Sequence, residues 1–378
     1  MPRRALGMNV FEAAVMRMER LYREGHRIVL SFSAGKDSGV CLEIMRIAAR
    51  NTGKGPVEII MRDEEIMFPG TFEYAERIYH QPDIKFHWVI AGQPIINSFN
   101  REAPYWWVFD DRCPELWLRK PPEWAERIED KDIQHMTIPS RFPPPPGKDL
   151  ISVIGLRVSE SRNRKMGLMS SGDYVTKPNE FGVKLCRPVY DWTDDDVWKA
   201  ILDMKWDYNK AYDEMYRIGM PKSRLRIAPP TMYQSIDSLQ YARALWPKWF
   251  DAVNTRVGGL RLASMFGKRS ISPIRELNET WEDCAKRIFT PENSPAWIIE
   301  RYKEAETFAL NLHNKHSTQP FPQNQSCKRC QPAIGCWKNL CKNLYMGDPW
   351  AQYCTKLPYI EPEFFRKGAG QWGGKPNF

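Results

Sequence analysis

The sequence predicts an α/β fold: a parallel five-stranded sheet, followed by a helical extension and a small Cys-rich C-terminal module. Three observations carry that expectation. Short apolar runs alternate with amphipathic stretches of helix length through the first half of the chain. A turn of small residues separates the first apolar run from the helix behind it, and four of the nine cysteines fall between Cys327 and Cys341. Alternation at this spacing marks successive βα units, whose crossovers bring strands back parallel.

The elements follow in order. A helix with Val10, Ala14 and Met18 on one face leads into an apolar strand at 27–32. A helix at 37–50 places Val40, Ile44 and Ile47 on one side. Strands at 57–61 and 86–90 flank a helix at 71–79, and two more strands are expected at 151–156 and 184–190. Residues 93–149 break this rhythm with Trp106, Trp107, Trp117 and Trp124, then the prolines 143–146. Four prolines in a row form neither helix nor central strand, so the segment reads as an insertion over the working end of the sheet. Helices are expected at 193–204, 235–246 (stopped by Pro247), 280–288 and 296–313. The domain expectation is 1–225 for the α/β domain, 226–320 for the helical extension, 321–356 for the Cys-rich module and 357–378 for a flexible tail.

Composition narrows the class. Of 378 residues, 42% are apolar, ample for a core and incompatible with a disordered chain. The longest apolar runs fall far short of the ~20 residues that a membrane-spanning helix needs. The N-terminal stretch is broken by Glu12, Arg17, Glu19 and Arg20 before any apolar export segment forms. Scattered cysteines in an odd number, 9, point to a reducing, cytoplasmic setting rather than a disulfide framework. A net charge of +9 fits a polyanionic partner such as a nucleotide or nucleic acid.

The sharpest motif is Ser33, Ala34, Gly35, Lys36, Asp37 and Ser38, directly after a strand and directly before a helix. Such a turn lets backbone N–H groups and a helix N-terminus converge on an anion. Gly35 permits close approach, Ser33 and Ser38 supply hydroxyls, and Lys36 adds charge. The pattern is not a Walker loop, because Leu30 replaces the first glycine and Asp37 the metal-binding hydroxyl. It resembles the S-x-G-x-D-S loop of the PP-loop ATP pyrophosphatases, which have a Rossmann-like fold and cleave ATP between the α and β phosphates.

Three further segments narrow the resemblance. Asp63, with Pro69 and Thr71 at matching distances, looks like the D-x-x-x-x-x-P-E-T segment of the phosphoadenosine-phosphosulfate (PAPS) reductase family, although Gly70 replaces the glutamate. Gly155, Arg157, Glu160, Ser161 and Arg164 match that family's G-x-R-x-x-E-S-x-x-R, and residues 188–198 are close to its P-[LI]-x-D-W-[TS]-x-x-D-V-W. The resemblance implies an adenine nucleotide, ATP or a PAPS-like molecule, with Mg²⁺ bridging its phosphates. On that basis Lys36, Asp37, Arg157 and Arg164 are the catalytic candidates. Ser33, Ala34, Gly35, Lys36, Asp37, Ser38, Asp63, Gly155, Glu160 and Ser161 are the nucleotide-binding ones. Thr193 ahead of three aspartates reads as a helix N-cap only.

One departure matters. The reductases use a cysteine in a C-terminal E-C-G-[LI]-H segment, and no cysteine follows Cys354 here. The resemblance is closer to the divergent DNA-phosphorothioation-type branch, implying adenylation of a substrate for sulfur transfer or nucleic-acid modification. PAPS reduction is one alternative, and a nucleotide-sensing, nucleic-acid-binding regulator another. Cys327, Cys330, Cys336 and Cys341 fit Zn²⁺ or an iron–sulfur cluster, with Cys284 or Cys354 as substitutes for Cys341. His313 and His316 lie at i, i+3 on a helix and read as exposed. Lys328, Arg329, Lys338 and Lys342, interleaved with Trp337 and Tyr345, read as a possible surface for nucleic acid. Cys186, beside Arg187, is a candidate sulfur carrier.

Overall fold

The computed structural model describes residues 7–91, 94–128, 141–179 and 181–348. The chain divides into two compact units, residues 1–93 with 119–228 and residues 94–118 with 229–378. The first unit opens with α1 (Val10–Glu24), β1 (Arg27–Ser31), α2 (Lys36–Thr52), β2 (Val57–Arg62), α3 (Thr71–Tyr79) and β3 (Ile84–Ala91). The hairpin β4 (Pro94–Ile96) and β5 (Tyr105–Trp107) belongs to the second unit. The first unit then resumes with β6 (Glu126–Ile128), β7 (Leu150–Val153), α4 (Arg162–Ser171), β8 (Val183–Cys186), α5 (Asp194–Asp203) and α6 (Ala211–Arg217).

Among the described residues six strands, rather than five, form the parallel sheet, in the order β6-β3-β2-β1-β7-β8. The additional strand β6 buries only Ile128 and exposes Glu126 and Arg127, so it carries too short an apolar signal to be read from sequence. Alternating residues serve two cores. Ile28, Leu30, Ile59, Met61 and Ile151 pack with α1 and α2, while Val29, Ile60, Val89, Leu150 and Val183 form the opposite face. Burial on both faces explains the nearly continuous apolar runs. Local chemistry sets the helix ends: Asn9 and Glu12 form a capping box before α1, which stops on Gly25 in the left-handed region. Strand order reverses at β1, with β2 on one side and β7 on the other. In open α/β sheets the crevice beyond the strand C-termini at such a reversal receives ligands.

The second unit holds β4, β5 and the helices α7 (Ile236–Leu245), α8 (Pro247–Val257), α9 (Leu260–Phe266), α10 (Trp281–Ile288), α11 (Ala296–Asn314) and α12 (Trp337–Leu344). Pro247 both stops α7 and opens α8, where its missing N–H costs nothing. Residues 94–118 belong to this unit rather than to the one that holds the sheet. There Ser98 N–H donates to Thr231 O at 2.8 Å and Asn97 Nδ2 to Val257 O at 2.7 Å. The Cys-rich segment packs on the helices that precede it. Ile334, Trp337, Leu340 and Cys341 share one core with Cys284, Trp297 and Tyr302 of α10 and α11. Among the described residues, no helix is long and apolar enough to cross a membrane. The predicted tail and Cys354 lie outside the described residues.

Candidate functional site

β1 ends at the reversal point, and the chain turns there into α2. Phe32 N–H still follows the sheet, donating to Ile60 O at 2.8 Å. Ala34 then takes φ 53°, a left-handed conformation that swings the chain back toward the helix axis. Gly35 is the N-cap residue and provides no side-chain cap. Ser38 Oγ donates to Gly35 O at 3.0 Å and accepts Ser33 N–H at 3.3 Å, so the turn is closed by its own hydroxyls. Two side chains support it from below. Asn209 Nδ2 donates to Ala34 O at 3.2 Å and to Thr71 Oγ1 at 3.0 Å, and Lys36 N–H donates to Tyr212 Oη at 3.1 Å. Burial pushes the Tyr212 phenol up from its ordinary pKa, keeping it a neutral acceptor.

The loop charges are paired and mostly buried. Lys36, only 5% exposed, places Nζ 3.1 Å from Asp37 Oδ2 and 3.4 Å from Asp194 Oδ1. Asp37 Oδ1 accepts Arg157 Nε at 2.6 Å, and Arg157 Nη2 donates to Asp194 at 2.8 Å. Burial works against the Asp194 carboxylate, but Lys36 and then Arg157 outweigh it and hold the group below its usual value. Arg157 is 1% exposed, and Nη1 is spent on Ser159 Oγ at 3.3 Å. The expected open fork for a transferred anion is therefore a strut inside the protein.

The remaining predicted residues divide by role. Glu160 pairs with Arg164 and lies 3.9 Å from Arg226 Nη2. Burial first, then the like charge of Arg226, lowers the Arg164 pKa, marking a region where cations outnumber the carboxylates facing them. Ser161 caps α4 by accepting Arg164 N–H at 3.2 Å. Gly155 is demanded by a close approach: a Cβ there would lie 2.7 Å from the Asp37 carbonyl carbon and 2.8 Å from Ser38 N. Asp63, expected to touch metal or nucleotide, has no exposure. Its oxygens accept Trp88 Nε1 at 2.8 Å, Glu65 N–H at 2.9 Å and the Arg119 guanidinium, so it anchors the end of β2. With Asp37 likewise committed to Arg157 and Lys36, these two carboxylates fit Mg²⁺ poorly as they stand.

Four site residues escaped the sequence reading: Asp194, Asn209, Tyr212 and Arg226. Only Asp194 left a signal, as the first acid after the N-cap Thr193, whose capping box with Asp196 forms as expected. Cys186 is no carrier. It is fully buried with Sγ 4.0 Å from Met18 Sδ, and burial pushes its thiol up. Trp337 is likewise buried, and the half-buried Tyr345 lies beneath Arg101 at 4.3 Å, so Trp337 offers no face to the expected nucleic-acid surface and Tyr345 is already covered by a cation.

The cysteines separate as well. Cys327 and Cys330 meet His313 and His316, with all four donor atoms within 4.8 Å of one another, a group that can hold a metal ion. Cys336 and Cys341 do not join them. Cys336 is the N-cap of α12, with Sγ 3.8 Å from Ser326 Oγ. Cys341 lies beside Cys284 in the core, and burial raises both thiols.

A parallel sheet with an anion loop at its strand-order reversal defines an α/β nucleotide-binding protein of the PP-loop kind. The profile of the phosphoadenosine phosphosulfate reductase domain matches residues 147–225, which span Gly155, Arg157, Glu160, Arg164 and Asp194. The Uncharacterized protein YbdN of Escherichia coli (strain K12) is 25% identical over 404 residues, covering 97% of each chain. The adenosine 5'-phosphosulfate reductase of Staphylococcus haemolyticus (strain JCSC1435) is 24% identical over 53% of this chain and 71% of its own. The phosphoadenylyl-sulfate (PAPS) reductase structure from Candida auris, a phosphate complex, aligns with a TM-score of 0.31 and 12% identity, covering 56% of this chain and 93% of that one, too loosely to add weight. Residues 147–225 thus match the PAPS reductase domain, and the chain as a whole resembles the PP-loop proteins that carry it.

Proposed function

We propose that the protein binds ATP at the Ser33–Ser38 loop and cleaves it at the α–β bond, adenylating an acceptor for sulfur transfer or nucleic-acid modification. The observation that carries this is the loop itself. An α2 N-terminus without a side-chain cap, a nearly buried Lys36 and the Arg164–Arg226 pair offer donors and positive charge to a polyphosphate. An acceptor atom attacks the α-phosphorus, the Pα–O bond to pyrophosphate breaks, and its electron pair leaves on the bridging oxygen. The protein contributes positioning and charge neutralisation. Mg²⁺ entering with the nucleotide would neutralise phosphate charge. Arg157 acts indirectly, by fixing Asp37 and Asp194 so that Lys36 stays aimed.

Sulfonucleotide reduction is less well supported. It needs a reactive thiol, whereas the two cysteines of the first unit, Cys41 and Cys186, are fully buried with raised pKa values. Incubation with ATP and Mg²⁺ should release pyrophosphate, and Lys36→Ala should abolish that release. Tight ATP binding without turnover would favour the regulator reading. Thioredoxin-dependent sulfite release from PAPS would overturn both in favour of reduction.

A further inference from the structure

We infer that His313, His316, Cys327 and Cys330 form a closed tetrahedral zinc site that pins the chain beyond α11 to the C-terminal turn of that helix. The site is independent of the nucleotide reading. Its support is geometric. Cys330 Sγ lies 3.5 Å from both His313 Nδ1 and His316 Nε2, and Cys327 Sγ lies 3.5 Å from His316 Nε2. Bonds of about 2.3 Å to sulfur and about 2.0 Å to nitrogen give a tetrahedral S···N edge of about 3.5 Å. The separations are those of ligands around one ion.

The surroundings fit the same reading. His313 is 2% exposed and its Nε2 lies 2.9 Å from Gln319 O. Donation to that carbonyl leaves the Nδ1 lone pair facing the sulfurs, as metal-bound imidazoles are commonly fixed. The C-x-x-C turn is held by its own backbone: Cys330 N–H donates to Cys327 O and Cys327 N–H to Gly335 O, each at 3.1 Å. Gly335 has to be glycine, because a Cβ would lie 2.9 Å from Cys330 Cβ. Two thiolates and two neutral imidazoles offset the charge of Zn²⁺, and binding releases the two thiol protons.

An iron–sulfur centre is disfavoured by the same distances. A two-iron cluster with these ligands holds both sulfurs on one iron and both imidazoles on the other, so that cross pairs are far apart. Here the cross pairs are the close ones. A four-cysteine cluster would need Cys336 and Cys341, which the structure assigns to the N-cap of α12 and to the core. With four protein ligands no position is left open for substrate, so the role is to hold the fold.

The test reads metal rather than turnover. Full-length protein should contain about one zinc per chain, with neither iron nor labile sulfide. Cobalt exchanged for it should show the visible bands of a tetrahedral dithiolate site. His316→Ala and Cys330→Ser should lose the zinc and expose Lys328 and Arg329 to trypsin. Cys336→Ala and Cys341→Ala should keep it, and His316→Cys should restore binding. Wild-type protein that is brown with iron and sulfide, or that takes up no zinc, overturns the inference. So does zinc retained in His316→Ala but lost in Cys336→Ala.

Discussion

Arg157 and Arg164 lie seven positions apart in one motif and behave as opposites. Arg157 is buried and spends its guanidinium on Asp37, Asp194 and Ser159. Its replacement by lysine keeps the charge but cannot span those partners, leaving the partly exposed Asp37 and Asp194 short of donors. Arg157→Lys should therefore cost about 2 kcal/mol in urea unfolding, together with loss of ATP turnover. Arg164 is partly exposed and pairs with Glu160, in a neighbourhood already rich in cations. Arg164→Ala should weaken ATP binding ~10-fold, about 1.4 kcal/mol, by calorimetric titration, with little change in stability. Equal unfolding midpoints for Arg157→Lys and the wild type would show that the strut role is wrong.

At the scale of elements, the N-terminus of α5 does two jobs. Thr193 and Asp196 cap it, while Asp194 reaches Lys36 and Arg157 of the loop network. Because the folded Asp194 pKa is depressed, the ionised form is favoured by folding. Its stabilisation is complete above the unfolded value of ~3.9 and is lost as pH falls through the folded pKa. Asp194→Asn should therefore melt below wild type at neutral pH, and the gap should close below about pH 4 as both forms carry an uncharged side chain. Melting curves over that range decide it: a gap that does not change with pH removes Asp194 from the network. The same pairing explains why the loop is not the row of exposed charges that its composition suggests.

For the molecule as a whole, the first unit is interrupted. Residues 94–118 leave it for the second unit, where Ile95, Phe99, Tyr105, Trp106 and Phe109 are buried. A chain cut after residue 228 would strip this segment of Thr231 and Val257, to which it is hydrogen-bonded. It should aggregate, because exposed aromatic surface of this size drives association. The same fragment with 94–118 replaced by a short Gly/Ser linker should be soluble, monomeric by size exclusion and still able to bind ATP. Two equally soluble fragments would mean that the hairpin does not depend on the second unit.

What the sequence determined was local. The strand–turn–helix around Ser33–Ser38, the start of α3 at Thr71, the cap at Thr193 and the stop at Pro247 each rest on neighbours a few residues apart, where periodicity and capping chemistry act. The family resemblance added the G-x-R-x-x-E-S-x-x-R segment, and so brought Gly155 and Arg157 to attention without their partners. Only the tertiary structure decided what those side chains meet. Arg157 becomes a strut because Asp37 and Asp194, far apart in sequence, converge on it, and Asp63 becomes an anchor because Trp88 and Arg119 close over it. The cysteines follow the same rule. Their bunching signals metal chemistry, but spacing alone does not say which thiols share a side. The helix that begins at Cys336 carries Cys341 into the core, and the turn after α11 brings two histidines to Cys327 and Cys330 in their place. Ligation depends on the direction of side chains in space, and that is set by packing across the chain.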